Sequence, residues 1–209
     1  MNGGRVFLID DDAAVLTALS RLLREAGFDV EACQSPSEFL LHDDGSTPGC
    51  AVLDVALGDW NGLEVQTALA NKGDARPIIF ITGQGDIATS VQAMKAGAVD
   101  FLTKPVRDED LIEAVRRALE RDRATREEEA RLASVGERLA SLTPREQEVL
   151  SSVVAGRLNK QIAAELGIAE KTVKVHRARV MAKMAVRSVA DLVRVVQRTL
   201  QLDKRARKK

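Results

Sequence analysis

Four aspartates lie where apolar stretches of the sequence end, and this placement suggests that they form a functional site. Asp10, Asp11 and Asp12 follow the run VFLI, and Asp54 follows CAVL. Neighbouring carboxylates repel each other and lose hydration beside a buried strand, so a cation is needed to stabilise such a group. A small set of hard oxygen ligands suits Mg²⁺, which also binds phosphates. A carboxylate such as Asp54 can then attack a phosphoryl donor and form an acyl phosphate.

Two further polar residues end apolar stretches in the same way. Thr82 ends the run PIIFIT, and Lys104 follows AVDFLT and precedes a proline. The Lys104 ammonium would neutralise phosphoryl oxygens, and the Thr82 hydroxyl would donate a hydrogen bond to one of them. Together with the aspartates, these residues predict a phosphoryl-accepting site.

Five short apolar runs must position these residues, and they alternate with helical patterns over the first 125 residues. The runs are RVFLID, DVEAC, CAVLD, PIIFIT and AVDFLT. The alternation predicts a parallel, doubly wound sheet with helices on both faces. The first, third and fourth runs are almost wholly apolar, as expected for strands buried on both faces. Ligands of such sheets bind at the carboxyl ends of the strands, where the polar residues fall.

Each of these residues also has a purely structural interpretation. Aspartates after strands often cap the next helix, Thr-Gly is an ordinary turn, and a lysine is usually at the surface. Capping is the favoured interpretation for Asp12. The combination favours a site, because capping does not require a lysine at the same edge.

Charge is divided unevenly along the chain, although the net charge is zero. Residues 1–125 contain 12 basic and 21 acidic residues, a net charge of −9, and residues 126–209 contain 19 basic and 10 acidic residues, a net charge of +9. The asymmetry predicts two domains with different partners, the basic one a candidate for nucleic acid. Cys33 and Cys50 lack metal-binding spacing and are interpreted as reduced, buried thiols of a cytoplasmic protein. We expect neither a signal peptide nor a membrane span.

Only helical patterns are found from residue 107 onward. Residues 107–142 are rich in Arg, Glu and Ala, with a narrow apolar seam and Gly136 as a candidate interruption. This segment fits either a solvated connector, which we favour, or a dimerising coiled coil. Thr143, Pro144 and Glu146 form a helix start with a capping box. Four helices are predicted over 143–200, the middle pair joined by a short turn containing Gly167, as in a helix-turn-helix.

The first half resembles the receiver domain of two-component response regulators over residues 5 to about 122. The resemblance is carried by Asp-Asp after the first strand, a lone Asp after the third, Thr-Gly after the fourth and Lys-Pro after the fifth. It implies that Asp54 is the phosphoacceptor, and that Asp10, Asp11 and Asp54 hold Mg²⁺ with the Ala56 carbonyl. It also implies a switch pair, Thr82 and Phe101, and a cis bond before Pro105. Many receivers have proline where this chain has Gly58, and Trp60 is unusually bulky for this loop.

The segment from Leu142 to about Val196 resembles the LuxR-type DNA-binding domain through LTPREQEVL, NKQIAAELGIAEKTVKVHRARVMAKM and DLVRVV. Combined with the receiver, it is similar to the FixJ branch of the NarL/FixJ family. The resemblance places a recognition helix from about Glu170 to Met184 in the major groove. The residues it implies at the DNA are Lys171, Thr172, Lys174, Val175, Arg177 and Arg179.

The expected fold is α/β plus all-α. Its parts are a flavodoxin-like receiver (1–122), a helical linker (123–141), a four-helix DNA-binding domain (142–200) and a basic, irregular tail (201–209). The expected function is transcription control, in which a sensor kinase phosphorylates Asp54 and the receiver dimerises or unmasks the DNA-binding domain. The dimer face would comprise about 86–97, 98–103 and 108–119, with candidate contacts at Val91, Lys95, Asp100 and Arg107.

The sequence leaves two other functions open. One is a DNA-binding protein with a vestigial receiver, which only the Gly58–Trp60 loop favours. The other is a phosphatase-type enzyme, which would need a general acid two residues beyond Asp54. Position 56 is Ala56, so we expect no catalysis beyond the protein's own phosphoryl transfer and slow autodephosphorylation.

Overall fold

The computed structural model describes residues 4–42, 45–83 and 87–206, and these fall into two compact units divided between Arg126 and Glu127. The first unit contains a parallel five-stranded sheet, as the sequence predicts. Its strands are β1 (Arg5–Ile9), β2 (Asp29–Cys33), β3 (Gly49–Asp54), β6 (Ile78–Thr82) and β7 (Asp100–Thr103), and they lie in the order β2-β1-β3-β6-β7. A separate two-stranded hairpin consists of β4 (Ala56–Leu57) and β5 (Trp60–Asn61).

Helices cover both faces of the sheet, because alternate residues of the central strands are apolar on each side. The helices are α1 (Ala13–Glu25), α2 (Pro36–His42), α3 (Gly62–Asn71), α4 (Ile87–Lys95) and α5 (Asp108–Ala140). Val6 and Leu8 pack with residues of α1 and α5 on one face. Phe7 and Ile9 pack with residues of α2, α3 and α4 on the other. The strands β3 and β6 are buried along their whole length, as expected from their apolar sequences.

The helix α5 runs without interruption through Gly136, which the sequence suggested as a break. Burying Val135 and Leu139 against the second unit's core compensates for the low helix propensity of glycine. The start proposed for the fourth helix, Asp86, lies outside the described residues.

The second unit is a helical domain whose four predicted helices are present. They are α6 (Pro144–Val154), α7 (Asn159–Leu166), α8 (Glu170–Lys183) and α9 (Val189–Ala206). The Thr143 hydroxyl accepts from the Glu146 amide while the Glu146 carboxylate accepts from the Thr143 amide, which confirms the capping box. Gly167 ends α7 with a φ of 64°, a left-handed conformation that glycine adopts without strain. The helix α9 continues to Ala206, past the predicted tail boundary at residue 201.

Both cysteines are free and buried, in line with their interpretation as reduced thiols. Burial raises the pKa of the Cys50 thiol to about 12, so Cys50 stays protonated and unreactive near neutral pH. Among the described residues, no helix is both long and apolar enough to span a membrane.

Candidate functional site

A lysine joins two buried aspartates at the carboxyl edge of the receiver sheet. Lys104 Nζ lies 2.9 Å from Asp10 Oδ2 and 2.5 Å from Asp54 Oδ2. Asp10 directly follows β1, and Asp54 is the last residue of β3. These two strands are neighbours at the point where the strand order reverses. Doubly wound sheets form their ligand sites at this switch point. The topology therefore brings together three residues that are far apart in the sequence.

The charges of this cluster explain how two acids can be buried side by side. Asp10 and Asp54 are only 2% and 8% exposed. Burial alone would lower the pKa of Lys104, but hydrogen bonds and attraction from Asp54 and Asp10 outweigh it and raise that pKa. The lysine therefore stays protonated and acts as the counter-ion of both carboxylates.

Backbone amides orient the two carboxylates. The Asp12 amide donates to Asp10 Oδ1 at 2.9 Å, and the Ala56 amide donates to Asp54 Oδ1 at 3.1 Å. The Asp12 carboxylate accepts from the amides of Ala14 and Val15 at the start of α1. The prediction that Asp12 is a helix cap is therefore confirmed, and its backbone also supports the site.

The other two predicted switch residues lie on β6 and β7. Thr82 is buried at the end of β6. Phe101 in β7 is partly buried, with its ring centroid 6.3 Å from that of Phe80. The peptide bond between Lys104 and Pro105 is cis, as the resemblance implied.

The donors at this edge fit a hard divalent cation, although they do not by themselves form a preassembled metal site. Asp10 and Asp54 present carboxylate oxygens, and Asp11 is an exposed carboxylate next to them. Within the described ranges, no three acidic, histidine or cysteine side chains are grouped closely enough to hold a metal. The ammonium of Lys104 occupies the space between the carboxylates, so it would have to yield part of its contacts to a metal. The predicted Mg²⁺ ligands remain a prediction.

Two glycines shape the loop after Asp54, which the sequence did not reveal as a hairpin. Gly58 has a φ of 60°, outside the range of proline, and a side chain there would begin 3.9 Å from Asp11 Oδ2. At Gly62 a Cβ atom would lie 2.6 Å from the Asp54 carbonyl oxygen and 3.0 Å from the Phe80 ring. The loop therefore folds tightly against the strand that carries Asp54.

The second unit presents a basic helix with one exposed side. In α8, Val173 and Val180 are buried in the domain core. Five of the six residues expected at DNA are exposed: Lys171, Thr172, Lys174, Val175 and Arg179. The sixth, Arg177, is partly buried and donates to Asn159 Oδ1 at 2.6 Å, a contact that ties α8 to the start of α7. A helix with this distribution of charge can enter the major groove.

A salt bridge that sequence reasoning missed connects α8 to α6. Lys183 Nζ lies 2.7 Å from Glu146 Oε2, and the Glu146 side chain is almost completely buried. The hydrogen bonds from Lys183 and from the Thr143 amide lower the pKa of Glu146 to about 2. The capping box identified Glu146 from the sequence, but its partner depends on packing between helices.

The candidate dimer-face residues lie on the described parts of α4, β7 and the loop before α5. Val91 and Lys95 are exposed on α4, and Arg107 is exposed and paired with Glu109. Asp100 is half-buried and accepts from Arg117 of α5 at 2.5 Å. Asp100 therefore already has a partner within its own domain.

A phosphoacceptor-type acidic pocket on a flavodoxin-like sheet, followed by a helix-turn-helix domain, defines a receiver with a DNA-binding output. The family model for the response regulator receiver domain matches residues 6–116, and that for bacterial regulatory proteins of the luxR family matches residues 140–196. The chain belongs to the NarL/FixJ family of response regulators.

The similarity to known response regulators extends over nearly the whole chain. The chain is 50% identical to response regulator protein TodT of Pseudomonas putida, with 92% of this chain and 85% of that protein covered. It is 43% identical to transcriptional regulatory protein FixJ of Rhizobium meliloti, with 91% and 93% covered. The solved structure of response regulator StyR has a TM-score of 0.86 and 44% identity, covering 94% of this chain and 99% of that one. The chain is thus a phosphorylation-dependent transcription regulator.

Proposed function

We propose that Asp54 is the phosphoacceptor of this regulator and that a sensor histidine kinase is its donor. The observation that carries the proposal is the Lys104 bridge, which places an ammonium 2.5 Å from Asp54 Oδ2 and so provides a cation beside the attacking carboxylate. In the transfer, a carboxylate oxygen of Asp54 attacks phosphorus, and the bond from phosphorus to the donor nitrogen breaks. The donor imidazole keeps that electron pair.

Lys104 is the residue best placed to respond to the new phosphoryl group. Its ammonium contacts the carboxylate that would be modified, so it can transfer a hydrogen bond to a phosphoryl oxygen. Mg²⁺, held by Asp10, Asp11, Asp54 and the Ala56 carbonyl, would supply further positive charge for the phosphoryl oxygens. The Thr82 hydroxyl would donate a hydrogen bond to the phosphoryl group, and the Phe101 ring would then turn inward.

The output would be control of promoter binding by a cytoplasmic homodimer. Rearrangement of Thr82 and Phe101 would change the face that carries Val91, Lys95, Asp100 and Arg107, and so favour pairing of two receivers. Relief of masking of the DNA-binding domain is the alternative route. In both cases two copies of α8 would read half-sites one helical turn apart.

The exposed surface of α8 supports assignment of the DNA contacts. Lys171, Lys174 and Arg179 carry charge for phosphates and base edges, and Val175 offers an apolar contact. Arg177 would act through its hydrogen bond to Asn159 as well as at the DNA.

Catalysis would be restricted to the protein's own phosphoryl group. An enzyme of the phosphatase type needs a general acid two residues beyond its nucleophile, and Ala56 has none. We therefore propose slow autodephosphorylation rather than turnover of an external substrate.

The proposal is tested by incubating the protein with Mg²⁺ and acetyl phosphate and measuring intact mass and elution volume together. Wild type should gain one phosphoryl group and elute as a dimer, and Asp54→Asn should do neither. Lys104→Met should separate modification from dimerisation. It should still gain the phosphoryl group, but a smaller fraction of it should elute as a dimer. A wild-type protein that stays unmodified with both acetyl phosphate and a sensor kinase would support the vestigial-receiver alternative.

A further inference from the structure

The second unit contains a small cavity that is lined by none of the residues predicted at the DNA. It has a volume of about 230 Å³ and lies between the last part of α5, the turn from α8 to α9, and α9. All of the residues that line it belong to the second unit. The cavity is therefore separate from the phosphoacceptor site.

The inner wall of this cavity is apolar. Leu132 and Val135 of α5 line one side, and Met184, Val186 and Val195 line the other. Met184 and Val135 also belong to the buried core of the domain, so the wall is rigid rather than a loose surface. An apolar wall of this size would hold a short hydrocarbon or aromatic group.

The rim of the cavity is formed by four arginines: Arg131, Arg138, Arg194 and Arg198. Among the described residues, two acids form salt bridges with them: Glu128 with Arg131 and Arg198, and Asp191 with Arg194. Arg138 donates to the Met184 carbonyl. The rim therefore has an excess of positive charge, and each guanidinium has five N–H donors, more than these contacts use.

We propose that this cavity binds a small amphipathic carboxylate. Its hydrocarbon part would lie against Val135, Val186 and Val195, and its carboxylate would accept from the rim arginines, which suit planar, bidentate recognition of carboxylates. Such a ligand would bridge α5 and α9 and add a second input to the regulator besides phosphorylation.

Isothermal titration of the full-length protein with sodium octanoate, below its micelle concentration, tests the proposal. Wild type should show saturable binding of one octanoate, and 1-octanol should bind at least fivefold more weakly because it lacks the carboxylate. Butyrate should also bind more weakly, since it leaves most of the apolar wall uncovered. The readout is independent of Asp54, so its outcome does not depend on phosphorylation.

Two variants locate the site. The double variant Arg194→Gln, Arg198→Gln should lower octanoate affinity at least fivefold. Arg187→Gln is the matched control, because Arg187 is exposed in the same domain but does not line the cavity. A circular dichroism melt of each variant shows whether it is folded. No saturable binding to wild type, equal binding of 1-octanol, or equal loss in the control would each overturn the proposal.

Discussion

At the residue scale, Lys104 determines how the acidic pocket is stabilised. It is the shared counter-ion of Asp10 and Asp54. Its role was predicted from the Lys-Pro motif as a contact to phosphate. The sequence could not show that the same ammonium bridges both carboxylates, because that depends on how β1, β3 and β7 bring their ends together.

Replacing Lys104 by methionine should lower the stability of the receiver domain by about 1–3 kcal/mol near neutral pH, because two buried carboxylates lose their counter-ion. Added Mg²⁺ should restore more stability to this variant than to wild type. Urea unfolding followed by the fluorescence of Trp60, the single tryptophan, measures this domain alone. Lys72→Met, at an exposed lysine, is the control, and an equal loss in both variants would contradict the counter-ion role.

The Glu146–Lys183 contact should make the DNA-binding domain sensitive to acid. Because the pKa of Glu146 is lowered from 4.5 to about 2, its contribution to stability is complete above pH 4.5 and is lost as the pH falls towards 2. Glu146→Gln should be less stable than wild type at neutral pH. It should also lose less stability than wild type as the pH falls from 4.5 towards 2. Residue-resolved NMR of the full chain at a series of pH values follows the amides of α6 and α8. An unchanged acid dependence in the variant would exclude Glu146 as the source.

At the element scale, the strands and helices were predictable where periodicity is long, and the short elements were not. The five strands of the sheet and the four C-terminal helices follow from apolar runs, caps and glycine stops. The hairpin of β4 and β5 was missed because two-residue strands carry no periodic signal. Likewise, the continuity of α5 through Gly136 is decided by packing around Val135 and Leu139 rather than by local propensity.

Two glycines with different surroundings should respond in opposite ways to replacement by alanine. Gly62→Ala should destabilise the receiver by more than about 2 kcal/mol, because its methyl group would overlap the Asp54 carbonyl. Gly136→Ala should add about 0.5–1 kcal/mol, because it lies in a helix with open space around it. Thermal unfolding of both variants beside wild type checks the pair. A neutral Gly62→Ala would show that the loop can move away from the strand.

The turn between α8 and α9 stores strain at Ala185, whose φ of 51° is left-handed. Ala185→Gly should stabilise the DNA-binding domain by up to about 1 kcal/mol, because glycine adopts this conformation without steric cost. The control Ala182→Gly, inside α8, should instead destabilise by about 1 kcal/mol. Differential scanning calorimetry of the full chain measures the unfolding transition of the DNA-binding domain. A loss of stability in both variants would contradict the assignment of strain to Ala185.

At the scale of the whole molecule, the two halves carry opposite charge and different tasks. The acidic half contains the phosphoacceptor-type pocket, and the basic half contains the exposed surface of α8. This division was visible in the sequence, because charge counts need no tertiary structure. The individual DNA contacts remain a prediction, and the sequence did not show that Arg177 is bonded to Asn159 within the domain.

DNA affinity should accordingly depend strongly on salt. Lys174→Gln should weaken binding to any duplex and reduce the slope of log affinity against log salt by about 1, because one phosphate contact is lost. Fluorescence anisotropy with a labelled duplex measures the slope. Lys72→Gln in the receiver is the matched control, and an unchanged slope for Lys174→Gln would remove Lys174 from the interface.

The most direct test of the central claim is chemical mapping of the phosphoryl group. Protein treated with Mg²⁺ and acetyl phosphate is reduced with borohydride, which converts an aspartyl phosphate to homoserine, and is then digested and sequenced by mass spectrometry. We expect homoserine at position 54 alone, with none in Asp54→Asn. Homoserine at Asp10 or Asp11, or a full phosphoryl gain in Asp54→Asn, would contradict the assignment of Asp54 as the phosphoacceptor.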